Sequence, residues 1–306
     1  MPGSRDIKRR IKSISSTKKI TRAMQMVSAV KMRRAQTAVA GSRPYADLAR
    51  ELASNLAKSL KGELGEITGR VANLEKSLPA AKKRIIMVVI SSNRGQVGAL
   101  NSNLVSAVRK FILEKQEQGF EVIPITMGKK GKEALVHLGY KVEAEFEKGD
   151  KGQQTEDILP ISTMMIDGYI SADYAGAVIA YTKFVSTLVQ KPIIDNILPF
   201  RSILEDNTND TGVKKEAETD KTSYLFEPNA KAVLEDLIPR IVESQLYRAL
   251  LESGASEHSA RMVMMKSATD AASDLVDDLT LEYNQLRQAS ITTELAEITA
   301  GRIAME

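Results

Sequence analysis

The spacing of hydrophobic positions changes twice along this chain, from helical to strand-like and back to helical. From Ser4, a residue suited to cap a helix, Ile7, Ile11 and Ile14 fall three or four apart, and Ile20, Met24 and Val27 resume the stripe slightly shifted. Gly41 and Pro44 interrupt it, since proline lacks an N–H and clashes with the preceding turn, yet Leu48, Leu52 and Leu56 continue it. The pattern predicts a helix over about residues 4–58, kinked at Pro44, with a break there as the alternative. At 1.5 Å per residue its length is about 80 Å, against about 30 Å for a small domain, so it is expected to extend beyond any globular body.

Residues 59–82, with Gly62, Gly65, Gly69 and Pro79, read as an irregular connection containing one short helix. Arg84 to Ile90 is then a β-branched run of the kind found in a strand buried on both faces. A turn over Ser91–Gly98 leads to a helix near Asn101–Gln118, a strand near Phe120–Thr126, a helix over Lys129–Leu138 and a strand over Tyr140–Phe146. This βαβαβ order predicts a largely parallel sheet. A helix near Asp157–Tyr169, a strand near Tyr174–Tyr181 and an extended stretch near Ile193–Pro199 complete the unit.

Residues 205–223 are polar and nearly free of large apolar groups, so they are expected to form a mobile surface loop. From about Asn229 the chain reads as helical to its end, with Pro239 kinking or restarting it. Met265, Ala268, Ala272, Leu275, Leu279, Glu282, Leu286 and Ala289 alternate steps of three and four, the seam of a coiled coil. A single domain between the two terminal helices brings the end of the first near the start of the last, which requires antiparallel pairing. The expected fold is an α/β domain plus a long antiparallel coiled coil of the N- and C-terminal helices. Its divisions are 1–82 (first helix and connection), 83–204 (Rossmann-like α/β domain), 205–228 (flexible loop and foot) and 229–306 (last helix).

Composition narrows the chemistry. With no Cys there is no disulfide, thiolate nucleophile or thiolate metal site, and only His137 and His258 offer imidazole. The longest apolar run, Ile85 to Ile90, is far short of the roughly 18 to 20 residues of a membrane span. No targeting segment precedes the first periodic helix, which reads as cytoplasmic. Residues 1–50 hold 13 Lys+Arg against 2 Asp+Glu, and the remainder is net acidic. The basic helix therefore calls for an acidic partner. Its charges spread around the helix and no aromatic residue precedes Tyr45, so a protein sleeve fits better than nucleic acid.

No catalytic group assembles from the sequence. The loop Ser91–Asn101 occupies the place where nucleotide-binding folds cradle phosphate, but Gly95-x-x-Gly98 is neither a dinucleotide turn nor a P-loop, and a structural turn is expected. Asp277-Asp278 and Glu205-Asp206 read as solvated charge, and His258 as a helix-start or surface residue. The seam itself is weak, with Ala268, Ala272, Glu282, Thr21 and Gln25 where a free-standing coil has Leu or Ile. Such a pair calls for an enclosing partner, and the small apolar residues from Ile298 to Ala304 suit insertion into a collar, with a frayed terminus as the alternative.

Asp6 to Ile11 and Thr17 to Val27 closely resemble the opening of the gamma subunits of F-type ATP synthases. Ser256 to Met262 and Tyr283 to Thr292 resemble that family's C-terminal helix, and Ser91 to Asn101 its loop after the first strand. The loop departs from the usual pattern at Asn93, Val97 and Ala99, where Asp, Cys and Gly are common. Without Cys, the chain lacks the thiol switch of chloroplast-type enzymes.

The resemblance implies a rotor, one copy per complex. Its coil would turn within a hexamer of alternating alpha and beta subunits, coupling proton flow through a membrane c-ring to ATP synthesis or hydrolysis there. By matched position it implies Arg9, Met24, Arg33, Arg287, Gln288 and Thr292 as beta-subunit contacts, and Tyr224, Phe226 and Glu227 as contacts to the epsilon subunit and the c-ring. It implies no catalytic residue, cofactor, metal or nucleic-acid partner, and a peripheral place on the cytoplasmic side of the cell membrane.

Overall fold

Ile85 to Ile90 are all buried because the strand that carries them lies at the centre of a sheet covered on both faces. The structure, a computed structural model, describes residues 4–59, 83–149, 155–198, 230–303 and 305. The expected connection beyond Ser59, the polar loop 205–223, and Tyr224, Phe226 and Glu227 lie outside the described residues. The chain divides into two units, Met1–Val30 with Arg261–Glu306, and Lys31–Ala260.

In the second unit β1 (Arg84–Ile90) pairs in parallel with β2 (Glu121–Met127) and with β4 (Gly176–Phe184). Strand β3 (Ala144–Phe146) extends the parallel sheet beyond β2, and β5 (Gln190–Leu198) closes the other edge antiparallel to β4, giving the order β3-β2-β1-β4-β5. The third strand is shorter than the expected Tyr140–Phe146: the β2–β3 ladder begins at Ile125 opposite Ala144, with Glu143 N–H donating to the Pro124 carbonyl just before it. Pro192 is tolerated within β5 because that strand is an edge.

Alternation along β1 sends Ile85, Met87 and Val89 to one face and Ile86, Val88 and Ile90 to the other. The first face is covered by α2 (Leu100–Glu117), through Leu104, Val105, Val108 and Ile112, and by Leu135 of α3 (Lys129–His137). The second is covered by Ile161, Met165 and Tyr169 of α4 (Leu159–Ile170) and by Val242, Leu246, Ala249 and Leu250 of the last helix, α5 (Ala230–Ile303). The domain is thus a three-layer α/β/α unit to which the start of the last helix belongs.

The first helix, α1, runs without interruption from Ser4 to Ser59 through Pro44, and α5 runs through Pro239. Of the two readings at Pro44, the break is excluded. In the first unit these helices pair antiparallel: Lys18 Nζ donates to Ser273 Oγ at 2.8 Å, and Thr21 and Thr269 hydroxyls meet at 2.8 Å, so the partner number falls as the α1 number rises.

The seam differs in detail from the expected one. On α5 the covered positions from Met265 onward are Met265, Ala268, Thr269, Ala272, Ser273, Val276, Leu279, Tyr283 and Leu286. The expected residues seven apart are therefore correct and Ala268 is half-buried, but the later intervening ones lie on the adjacent side: Leu275 is 51% exposed, and Glu282 and Ala289 face solvent. On α1 the seam passes through Ile7, Ile11, Ile14, Lys18, Thr21, Gln25 and Ser28, leaving Ile20, at 60% exposure, and Val27 outside it. On α5 an apolar residue assigned to the seam, Leu275, instead faces outward, whereas on α1 Thr21 and Gln25 lie in the seam as expected and it is Ile20 and Val27 of the apolar stripe that face outward.

Candidate functional site

The paired helices present two unlike surfaces. Inside, the Ile7–Ile14 end of α1 is apolar, whereas Lys18, Thr21, Gln25 and Ser28 face the seam further on, where hydroxyl and ammonium groups bond across it beside buried Met265 and Ala272. Outside that polar stretch, Ile20, Met26, Val27 and Val30 are exposed. Burying them would contribute about 25 cal/mol per Å² of apolar surface removed from water, so a partner enclosing the coil would gain what the seam itself lacks.

The antiparallel register sets Ser4 level with about Leu286, the last covered residue of α5. From Arg287 to Ile303 every α5 residue is exposed, including Ile291, Leu295 and Ile298, the last at 70%. Charge also divides between the helices. Lys8, Arg9, Arg10, Lys12, Lys19 and Arg22 are exposed on α1, and Asp270, Asp274, Asp277, Asp278 and Glu282 are exposed on α5. Exposed charge is thus basic on α1 and acidic on α5 between Asp270 and Glu282.

The six residues expected to contact beta subunits do not form one cluster. Arg9 is exposed, 4.0 Å from Asp6 Oδ1, and Met24 is half-buried beside the seam. Along one helix the two are separated by about 22 Å at 1.5 Å per residue. Arg33 is exposed, as are Arg287, Gln288 and Thr292, the last donating its hydroxyl to the Gln288 carbonyl at 2.9 Å.

The second unit holds the other candidate, the crevice at the C-terminal ends of β1 and β4. Here the strand order reverses, which is where open α/β sheets place ligands. The loop after β1 is self-satisfied, as expected of a structural turn. Ser92 N–H donates to Asn101 Oδ1, Asn101 Nδ2 to Ser92 Oγ, and Ser92 Oγ to the Arg94 carbonyl, while Gln96 and Gly98 take positive φ to close it.

The crevice is occupied by α5. Ser256 Oγ donates to the Thr182 carbonyl at 2.9 Å, Ser259 Oγ to that of Thr187 at 2.9 Å, and Ser253 Oγ to that of Ile90 at 3.5 Å. Val97 and Leu100 of the loop pack on Ala260. Glu257 Oε2 accepts from Lys148 Nζ at 2.8 Å, with the two side chains only 10% and 6% exposed. Lys148 also reaches the Ser91 carbonyl at 3.5 Å, and Asn93 Nδ2 donates to the Lys148 carbonyl at 2.8 Å. His258 therefore lies inside a docked helix, half-buried, and is neither a helix start nor a surface residue. Sequence periodicity missed this contact set; the run of small residues Ser253-Gly254-Ala255-Ser256 was the available sign of a close approach.

One unit is a two-helix antiparallel coil with exposed apolar residues, and the other an α/β/α domain whose strand-end crevice holds part of its own last helix, which together define the class: a coiled-coil subunit with an α/β domain. A family model described as ATP synthase matches residues 3–305. Curated relatives are the "ATP synthase gamma chain" of Roseiflexus sp. (strain RS-1), 40% identical over 309 residues, covering 100% of this chain and 99% of that one, and of Chloroflexus aurantiacus (strain J-10-fl), 41% identical over 305 residues with the same coverage. The chain belongs to the ATP synthase gamma-chain family, whose members are subunits of the complex and are not themselves catalytic.

The fold also matches a chain of the Euglena gracilis mitochondrial ATP synthase OSCP/F1/c-ring structure, with TM-score 0.63 and 18% identity over 99% of this chain and 94% of that one. It matches the Tetrahymena thermophila mitochondrial ATP synthase central stalk/c-ring structure with TM-score 0.54 and 21% identity, over 81% of this chain and 99% of that one. No helix among the described residues is long and apolar enough to cross a membrane.

Proposed function

We propose that this chain is the central-stalk rotor of an F-type ATP synthase, one copy per complex. Its coil turns inside a hexamer of alpha and beta subunits, and its base rests with the epsilon subunit on the c-ring, peripheral to the cytoplasmic face of the cell membrane. Residues 1–82 and 229–306 supply the shaft helices, the start of the last one doubling as a layer of the 83–204 α/β domain, and 205–228, with Tyr224, Phe226 and Glu227, supply the foot. The observation that carries the reading is the coil of a gamma-family chain in which α1 turns Lys18, Thr21, Gln25 and Ser28 toward the seam while Ile20, Met26, Val27 and Val30 are exposed.

The mechanism follows from asymmetry. One shaft meeting three otherwise similar beta subunits must present a different face to each, so rotation biases their nucleotide affinities in sequence. Proton flow through the c-ring turns the shaft for synthesis, and hydrolysis turns it in reverse. The test is reconstitution with alpha and beta subunits, for which one copy per hexamer and chain-dependent ATPase activity are expected. A chain that does not enter the hexamer refutes the reading.

A further inference from the structure

The crevice that an α/β sheet ordinarily reserves for a ligand is used here to hold a helix, and the means of holding it is specific. Apolar packing of Val242, Leu246, Ala249 and Leu250 attaches α5 to the sheet but resists rotation or axial slip only weakly, because dispersion contacts are non-directional. The directional contacts come one to three turns further on. Ser253, Ser256 and Ser259 donate to carbonyls of β1, β4 and the β4–β5 turn, and Glu257 takes the Lys148 ammonium.

Lys148 lies just past the edge strand β3, yet its side chain returns to the Ser91 carbonyl beyond the end of β1, and its backbone is tied to Asn93. One ion pair thus joins three loop and helix elements of the unit. A buried pair is a poor stabiliser compared with well-packed apolar residues of similar volume, so stability alone does not account for it. Fixed geometry does.

We propose that Lys148 and Glu257 are positioning residues that lock the α/β domain to α5 against rotation, so that torque entering the domain is delivered to the helix without slip. The proposal rests on the rotor reading. It assigns the pair no contact with nucleotide or with the transported ion.

The test uses the whole enzyme reconstituted in vesicles and reads the ratio of ATP-driven proton pumping to ATP hydrolysis, together with the melting temperature of the purified chain. Lys148→Met and Glu257→Gln should each lower the ratio at least threefold, whereas Lys148→Arg should keep more than half of it. The double variant Lys148→Met/Glu257→Leu leaves no buried charge unpaired and should recover the melting temperature without recovering the ratio. It carries the test if the single variants do not assemble.

A double variant whose ratio returns with its stability overturns the proposal, as do folded single variants with an unchanged ratio. Wild-type chain in the same vesicles separates the two levels. If it supports no coupled pumping, the rotor reading fails; if it couples and the variants match it, only the lock fails.

Discussion

Thr21 of the first helix and Thr269 of the last place their hydroxyl oxygens 2.8 Å apart in the coiled-coil seam, while Ile20, the neighbour of Thr21, faces outward. Thr269 also reaches the Met265 carbonyl at 2.7 Å and Thr21 the Lys18 carbonyl at 3.0 Å, so each hydroxyl has a partner within its own helix. Removing one hydroxyl should therefore cost about 0.5–1.5 kcal/mol, and replacing both by the isosteric Val should be neutral or stabilising. Thermal melts of the purified chain followed by circular dichroism should rank Thr21→Val/Thr269→Val at or above wild type, with Thr269→Val below it. A double variant less stable than either single one would contradict this account of the seam.

A second pair gives a pH dependence. Tyr181 donates its hydroxyl to Asp195 Oδ2 at 3.0 Å from a buried position on β4. Burial raises its proton affinity above the ordinary value of 10.0, and the carboxylates of Asp195 and Glu252 act in the same direction. A group whose folded value lies above its unfolded one contributes its stability in full below the unfolded value and loses it as pH rises beyond. Denaturant melts of wild type should therefore weaken steeply above about pH 10. Tyr181→Phe should cost about 1 kcal/mol near pH 7 through the lost hydrogen bond, and decline less steeply at alkaline pH. Parallel declines for the two proteins would exclude the hydroxyl as the cause.

The outcome at these two pairs shows what periodicity can carry. The strand Arg84–Ile90 was legible to the residue because burial on both faces leaves an unbroken apolar run. The coil was legible as a coil, and its sevenfold positions Met265, Ala272, Leu279 and Leu286 were correct, but Leu275 was assigned inward on its apolarity in place of Val276. That assignment assumes the most apolar stripe is the intramolecular one, whereas Leu275 and Ile20 both face outward. The Ser253–Ser259 contacts were illegible because their acceptors are strand and loop carbonyls 72 to 163 residues away, which impose no local period. Of the expected contact residues, Arg9 and Arg287 came only from the family resemblance, since exposed arginines carry no pattern of their own.

Close approach of the β2–α3 turn to the loop after β1 yields a packing prediction. Ser91 Oγ accepts the Gly131 N–H at 2.8 Å, and a Cβ on Gly131 would lie 2.6 Å from Ser91 Oγ and 2.9 Å from Ser91 Cβ. Gly131→Ala should destabilise the chain by about 1–3 kcal/mol through overpacking, despite the better helix propensity of Ala. Ser91→Gly removes both clashing atoms, so Ser91→Gly/Gly131→Ala should be more stable than the sum of its single changes predicts. Chemical denaturation of the four proteins measures the coupling, and strict additivity would show that the strain lies elsewhere.

The exposed end of α5 supports the last prediction. Arg287 and Gln288 lie just beyond Leu286, where the coil ceases to cover α5, and both are exposed. Replacing exposed helical residues by Ala changes stability by within about 0.5 kcal/mol, since nothing is uncovered and Ala favours the helix. If these side chains meet a beta subunit, the same change removes charge-assisted hydrogen bonds worth about 1.5–3 kcal/mol to that contact. Arg287→Ala/Gln288→Ala should therefore melt with wild type as a free chain, yet lower the ratio of proton pumping to hydrolysis when assembled in vesicles. Unchanged coupling would remove these two residues from the contact, and a lowered melting temperature would show instead that they support the helix.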